Sequence, residues 1–316
     1  MKTILVTGGC GFIMSNLIRL LLKKDYKIIN LDALTYAGRM ENTEDFKDNK
    51  NYQFVKGNIC DKTVVEELVK KSDIVVNGAA ETHVDRSIID AGSFVLTDVF
   101  GTYTLLEACR KFGIEKFVHI STDEVYGSRK KGSFEENDKL EPNSPYSASK
   151  AGADLLVRAY QVTHKLPIVI TRSSNNYGPF QYPEKIIPLF ITNLLLGKKV
   201  PLYGDGLNVR DWLYVMDNCR AIELIITKGK TGEIYNIASG QELTNLELTK
   251  KLLKMLGKDE NDIEFVQDRK GHDFRYSIDT EKIRKLGWST ETAIDNGLKE
   301  TVDWYKNNEN WWRPLI

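Results

Sequence analysis

The chain has 316 residues, 41% of them hydrophobic, with 44 basic and 44 acidic side chains and a formal net charge of zero. At ~150 residues per domain this allows two domains, or one large α/β domain with an appended lobe. Balanced charge excludes the cationic excess of a dedicated nucleic-acid binder, and a mean hydropathy of −0.35 fits a water-soluble chain.

Along the chain, short β-branched runs alternate with amphipathic stretches, the pattern of a parallel sheet with helices on both faces. Strands are predicted at 2–7, 27–31, 52–56, 73–77, 116–121 and 168–172, and helices at 16–24, 62–71, 94–112 and 146–164. Ser144 and Pro145 supply an N-cap and a first-turn proline for the last of these helices. From Ser173 to Gly206 the alternation stops and Gly, Pro and Asn punctuate the chain. A shorter rhythm then resumes, with helices at 215–227, 246–256 and 294–307 and strands at 235–238 and 263–267. The fold expected is α/β, a Rossmann-like doubly wound parallel sheet over residues 1–172 with a smaller α/β substrate lobe over 173–316. Residues 207–230 are expected to return to the first domain.

No apolar stretch approaches the ~20 residues of a bilayer span. The longest candidate, 186–196, is interrupted by Pro188, Thr192 and Asn193, so neither a membrane nor a nucleic-acid partner is expected. The start of the chain carries no long apolar leader pattern, and Cys10, Cys60, Cys109 and Cys219 are widely spaced, which predicts a reducing, cytoplasmic location. His83, His119, His164 and His272 show no metal-ligand spacing, so no metal is expected.

Thr7-Gly8-Gly9-Cys10-Gly11-Phe12-Ile13 follows the first predicted strand and opens a helix. Glycines in such a turn let backbone approach a pyrophosphate, whose charge the helix N-terminus stabilises. On its own the segment also fits a glycine-rich turn without a ligand. Asp32 strengthens the dinucleotide reading, because an acid about 20 residues on accepts from a ribose hydroxyl and repels a 2′-phosphate, favouring NAD over NADP. Arg39 reads as an exposed loop arginine. Spacing puts a third glycine at position 14, where close helix–strand packing normally excludes a side chain, yet Met14 stands there. Its bulk predicts weakened, not abolished, NAD binding.

Tyr146-Ser147-Ala148-Ser149-Lys150 sets a phenol and an ammonium at i and i+4, on one face of one helix. Alone this reads equally as a surface pair. Behind a dinucleotide fold, Tyr146 becomes the acid/base for oxidising an alcohol, its pKa lowered by the Lys150 cation. Thr122, Asp123 and Glu124 lie just beyond a predicted parallel strand, where residues face the ligand crevice. A simple dehydrogenase needs no such acids, whereas elimination next to a newly formed ketone needs further proton transfers. The charged stretches Arg129-Lys130-Lys131 and Glu135-Glu136 read as a solvated loop.

Taken together, these residues make the chain resemble, essentially end to end, the nucleotide-sugar dehydratases of the extended short-chain dehydrogenase/reductase family. The motifs carrying the resemblance are TGGxGFI, Thr122-Asp123-Glu124, YxxxK, the run from Ala79 to Ser87, Asn175-Asn176-Tyr177-Gly178-Pro179, Arg210-Asp211-Trp212, Gly271-His272-Asp273 and the tail Trp311 to Leu315. Departures are Met14 for a glycine, Asn58 for an aspartate, Lys270 for a proline and Ala33 for a lysine.

The resemblance implies NAD as cofactor and dTDP-glucose as substrate, with C4 oxidation, C5–C6 elimination and C6 reduction giving a 4-keto-6-deoxy sugar. It implies that Thr122 orients the 4-hydroxyl, Tyr146 with Lys150 takes its proton, Glu124 removes the C5 proton and Asp123 protonates the departing C6 hydroxyl. NAD contacts are implied for Gly8, Gly11, Phe12, Ile13, Asp32, Asn58, Ile59, Ala79 and Ala80, besides Tyr146 and Lys150. Substrate contacts are implied for Thr82, Asp85, Asn175, Asn176, Lys185, Tyr203, Arg210, Arg275 and Tyr276. For Arg210 and Arg275 a structural ion pair fits the sequence equally well, and Lys198-Lys199 reads as an exposed turn. A homodimer paired through helices 94–112 and 146–164 is also implied, although Leu105, Leu106, Leu155 and Leu156 fit a core face first. Competing readings are another nucleotide-sugar dehydratase, a 4-epimerase on the same scaffold, or a non-catalytic NAD-binding protein.

Overall fold

The computed structural model describes residues 1–268 and 272–316, so the motif positions Lys270 and Gly271 lie outside the described residues. Six strands form where the β-branched runs predict them: β1 (Lys2–Thr7), β2 (Tyr26–Asp32), β3 (Tyr52–Lys56), β4 (Ile74–Asn77), β5 (Lys116–Thr122) and β6 (Ile168–Ser173). The chain continues through β7 (Asn175–Tyr177), β8 (Val200–Tyr203), β9 (Val209–Tyr214), β10 (Ile234–Ile237), β11 (Glu242–Thr244) and β12 (Ile263–Val266). The large sheet runs β10-β6-β5-β4-β1-β2-β3 with every pair parallel, the doubly wound order.

Twelve helices are described: α1 (Phe12–Leu21), α2 (Lys62–Val69), α3 (Val84–Ile89), α4 (Ala91–Phe94), α5 (Thr102–Phe112), α6 (Pro145–His164), α7 (Ile186–Leu195), α8 (Val215–Lys228), α9 (Asn245–Met255), α10 (Glu281–Arg284), α11 (Ile294–Asn307) and α12 (Glu309–Trp312). Alternate residues of one strand feed opposite cores. Ile4 and Val6 of β1 pack with Leu17, Ile18 and Leu21 of α1 and with Ile222 and Ile225 of α8. Leu5 faces the other way, towards Leu68 of α2, Leu105 and Leu106 of α5 and Val157 of α6. Each such buried side chain stabilises the fold by roughly 1.5–3 kcal/mol before entropy is counted.

The predicted helix 94–112 is not one regular helix. It is α4, a π-helical stretch over Val95–Gly101, and then α5. In the irregular region the chain forms α7, which Pro188 does not break. It sits in the first turn, where its missing N–H has no intrahelical acceptor to lose. Of the segment 207–230, α8 packs against the large sheet, whereas β9 lies in a three-stranded sheet, β11-β9-β7. The large sheet gains its outer strand from β10, beyond that segment. A second core lies under α7, α9 and α11, closed by Trp311 and Trp312.

α6 starts as its sequence requires: Ser144 caps Ser147 in a capping box, with Pro145 in the first turn. It is pinned to β6 by Asp154, which accepts from Arg172 Nε at 2.8 Å with both side chains buried. Arg172 also donates to the Tyr126 hydroxyl at 2.7 Å. Losing one partner of such a buried pair costs about 3–5 kcal/mol. The loop expected to be solvated folds partly inward: Phe134 and Glu136 are buried, and a Glu136 carboxylate oxygen accepts from the Asn236 amide at 3.2 Å.

Candidate active site

The carboxyl ends of the central strands open into a cleft of about 720 Å³ that runs towards α7, β8 and β9. Every site residue expected from sequence lines it, with the exception of Arg275. At its dinucleotide end, Gly8 has φ +74°, and a β-carbon there would come within 2.9 Å of Ala79 N and Cα. Only glycine fits. Gly11 donates to the Gly8 carbonyl at 3.0 Å, tightening the turn, and stands at the N-cap of α1 without a capping side chain. First-turn amides are thereby kept for an anion. Asp32 accepts from the Cys10 and Leu34 amides at 2.8 and 2.7 Å, which fixes its carboxylate at the end of β2 while oxygen lone pairs remain for a ribose hydroxyl. These groups form a donor and acceptor set suited to NAD. Arg39 turns instead to Glu41 at 2.9 Å and to the Trp311 ring, leaving the Asp32 repulsion of a 2′-phosphate intact.

Beyond β5, Thr122 caps a 3-10 turn over Asp123–Tyr126, accepting from the Glu124 amide at 3.3 Å. This turn presents three consecutive side chains to one cleft. Asp123 is 3% exposed; its Oδ1 accepts from Thr122 at 3.2 Å, while Oδ2 is buried with no hydrogen-bond partner. Burial first, then Glu124 and Asp211, hold its carboxyl well above the usual carboxylate range, which favours its protonated form.

Lys150 is 5% exposed and donates to the Ile120 carbonyl at 2.8 Å. The expectation that the Lys150 cation lowers the Tyr146 pKa does not hold. Burial and the carboxyls of Glu124, Asp98 and Asp123 push the phenol well above its ordinary value, against a hydrogen bond with Thr122. Tyr146 is therefore protonated at rest.

Sequence reasoning missed Asp98. It lies in the π-helical stretch, buried, accepting from the Glu81 amide at 2.9 Å and the Ser149 hydroxyl at 2.6 Å, and burial pushes it up to about 6 against the nearby Lys150. Gln181 and Asn245 line the cleft without having been singled out, as does Trp212, which was named only within a motif.

On the substrate side, Arg210 donates to the carbonyls of Val209, Asp273 and Phe274 and stacks over Tyr276 at 4.3 Å. Tyr276 donates to Asp273 at 2.7 Å. Asn176 accepts from Asn218 at 2.8 Å, and the side-chain oxygen of Asn175 is buried with no hydrogen-bond partner. Arg275, by contrast, forms a two-pronged pair with Glu242 at 2.6 and 2.7 Å and donates to the Gly132 carbonyl, so its guanidinium braces β11 against the 129–132 loop. Lys198 and Lys199 are exposed and outside the cleft. Among the described residues no cluster of three His, Cys, Asp or Glu is placed to hold a metal, and no helix is long and apolar enough to cross a membrane.

Fold and site together define a class, the extended short-chain dehydrogenase/reductase proteins that act on nucleotide sugars. Residues 5–301 match the family model described as GDP-mannose 4,6 dehydratase. The chain is 51% identical to a dTDP-glucose 4,6-dehydratase of Streptomyces niveus, covering 99% of this chain and 95% of that one. It is 53% identical to the low-salt glycan biosynthesis protein Agl12 of Haloferax volcanii, covering 97% and 99%. The crystal structure of DesIV, a dTDP-glucose 4,6-dehydratase from Streptomyces venezuelae with NAD and dTDP bound, superposes with a TM-score of 0.98 at 50% identity, covering 99% and 100%. The chain belongs to the nucleotide-sugar 4,6-dehydratase family, and these full-length relatives place it beside the dTDP-glucose 4,6-dehydratases. The scaffold alone is shared more widely, since a UDP-glucose 4-epimerase from Thermotoga maritima matches with a TM-score of 0.91 at 31% identity, covering 97% and 99%.

Proposed function

We propose that the chain is an NAD-dependent hydro-lyase that converts dTDP-glucose to dTDP-4-keto-6-deoxyglucose and water. NAD, when bound, supplies the acceptor for the electron pair and hydrogen of C4 and returns them to C6. Tyr146, once its own phenolic proton has passed to solvent through the cleft, takes the 4-hydroxyl proton while Thr122, hydrogen-bonded to the phenol, orients that hydroxyl. Lys150, anchored on Ile120, supports the phenol from the same helix face. Once C4 is a ketone, the C5 proton is acidified and Glu124 removes it. Asp123 gives its proton to the departing C6 hydroxyl, and Glu124 reprotonates C5 as C6 is reduced, so that protons and electrons balance with loss of one water.

The observation that carries this reading is the buried Asp123, its Oδ2 without a hydrogen-bond partner, next to Glu124 in the cleft that holds Tyr146 and Lys150. A 4-epimerase needs the tyrosine but no acid to expel a hydroxyl. Gly8, Gly11, Phe12, Ile13, Asp32, Asn58, Ile59, Ala79 and Ala80 serve NAD in this assignment. Thr82, Asp85, Asn175, Asn176, Lys185, Tyr203, Arg210 and Tyr276 serve the sugar nucleotide, and Arg275 is removed from that set. The division of labour is a dinucleotide domain over 1–172, completed by α8 and β10, and a substrate lobe over most of 173–316. Incubation with NAD and each of dTDP-, UDP- and CDP-glucose, with products read by mass, tests the function. Loss of one water from dTDP-glucose is expected. An isomer of unchanged mass would support the epimerase, and no turnover by NAD-loaded protein would support a binding role.

We further propose a cytoplasmic homodimer. Its interface is supported by the exposed apolar side chains Val95, Leu96, Phe100 and Tyr103 with Leu155 and Val162 of α6. Leu105 and Leu106 are core, as expected, whereas Leu155 is not. Sedimentation equilibrium should give the mass of two chains, and a single-chain mass would overturn it. The reducing location is supported by four unpaired cysteines, with cell fractionation as its check.

A further inference from the structure

Met14 replaces the third glycine of the dinucleotide turn, and its neighbours show where its bulk goes. The residue is 3% exposed and packs in the core with Leu17 and Ile18 of its own helix. Its side chain reaches across to the residue that follows β4, Gly78. A β-carbon on Gly78 would meet Met14 Sδ at 2.4 Å, Cγ at 2.5 Å and Cε at 3.2 Å, and these are its three nearest atoms.

Gly78 is not among the glycines with positive φ. Its backbone therefore admits any residue, and the neighbour that forbids a side chain is Met14. Gly8 differs on both counts: its φ is +74° and its missing β-carbon faces the backbone of Ala79 at 2.9 Å. One glycine is required by the turn. The other is required by a methionine.

We propose that Met14 and Gly78 are a complementary pair that takes over the packing role of the missing third glycine. The thioether occupies the space a side chain at 78 would fill and stays clear of the NAD seat, which makes position 78 a determinant of cofactor affinity in this chain. The proposal rests on NAD being the cofactor. Below Met14 the core is closed by Leu17 and Ile18, each 0% exposed, while its open side is the cleft that Met14 and Gly78 both line. A methyl group added at Gly78 thus drives the thioether towards the cleft, because close-packed interiors do not yield and open crevices do. The expectation that Met14 itself weakens NAD binding is replaced: the harmful change is a side chain at 78 while Met14 is present.

The test is an equilibrium titration of NAD into the wild type, Gly78→Ala, Met14→Ala and the double variant, with thermal unfolding of each. Gly78→Ala should raise the NAD dissociation constant about tenfold or more, Met14→Ala should change it less than about threefold, and the double variant should return to within about threefold of Met14→Ala. Should Gly78→Ala fail to fold, a double variant that folds and binds NAD supports the pair, and one as unstable as Gly78→Ala overturns it. Wild-type affinity in Gly78→Ala, or the same weakening with and without Met14, also overturns it. If the wild type binds no NAD, the cofactor reading falls and takes this proposal with it, an outcome the first titration separates from failure of the pair alone.

Discussion

Glu124→Gln, mixed with NAD and dTDP-glucose, is expected to accumulate reduced nicotinamide absorbance while formation of the dehydrated sugar falls about 10³-fold. The two outcomes separate because the two half-reactions use different side chains of one cleft. Proton removal from the 4-hydroxyl is assigned to Tyr146 on α6, assisted by Thr122 at the end of β5. Proton removal from C5 is assigned to Glu124 in the 3-10 turn, whose backbone is fixed by Thr122 and whose side chain lines the same cleft. Glutamine keeps the shape and the amide contact but has no basic oxygen. Exchange of the C5 hydrogen with deuterated solvent should therefore vanish together with dehydration. If the variant loses reduced nicotinamide and dehydration to the same degree, Glu124 is not the C5 base and the assignment of steps is wrong.

How much of this was legible in the amino-acid order differs between the two halves of the chain. Strands β1, β2, β4, β5 and β6 are buried over most of their length on both faces and so read as continuous β-branched runs, which periodicity finds to within a residue or two, and the edge strand β3, only partly buried, is found as well. β7 and β11 have three residues each, too short to show a period, and β9 carries the buried Arg210 and Asp211, which sequence cannot tell from a polar loop. Asp211 is satisfied in its burial by Ser174 and Ser239, which donate to it at 2.7 and 2.8 Å and are distant in the chain. Motif positions fare better, because spacing at the ends of parallel strands is a geometric constraint. Arg275 shows the boundary: its partner Glu242 is brought opposite by β11, so a residue adjacent to a true cleft residue, Tyr276, points elsewhere. Asp98 left no local trace at all. A carboxylate in an amphipathic stretch reads as solvent-facing, and it is the extra residue per turn of the π-helical stretch that accompanies its burial here.

Asp123→Asn is expected to cut dehydration by about 10²-fold or more and, in the same protein, to raise the thermal midpoint at pH 7 by about 2–4 °C. The activity loss follows from removing the acid for the C6 hydroxyl. The stability gain follows from linkage. Asp123 titrates near 3.8 when unfolded and well above that when folded, held up first by burial and then by Glu124 and Asp211. Between those two values the folded state binds more protons than the unfolded one, so wild-type stability falls as pH rises, by up to ~1.4 kcal/mol per pH unit for this group. Asparagine does not titrate. The gap between variant and wild type should therefore be small below about pH 4 and widen upwards from there. An unpartnered amide in place of the unpartnered Oδ2 offsets part of the gain, which keeps it near ~1–2 kcal/mol. Unfolding curves of both proteins from acid to neutral pH check the sign: a gap that stays constant or narrows with rising pH would mean that Asp123 is ionised in the folded cleft and cannot be the acid that expels the C6 hydroxyl.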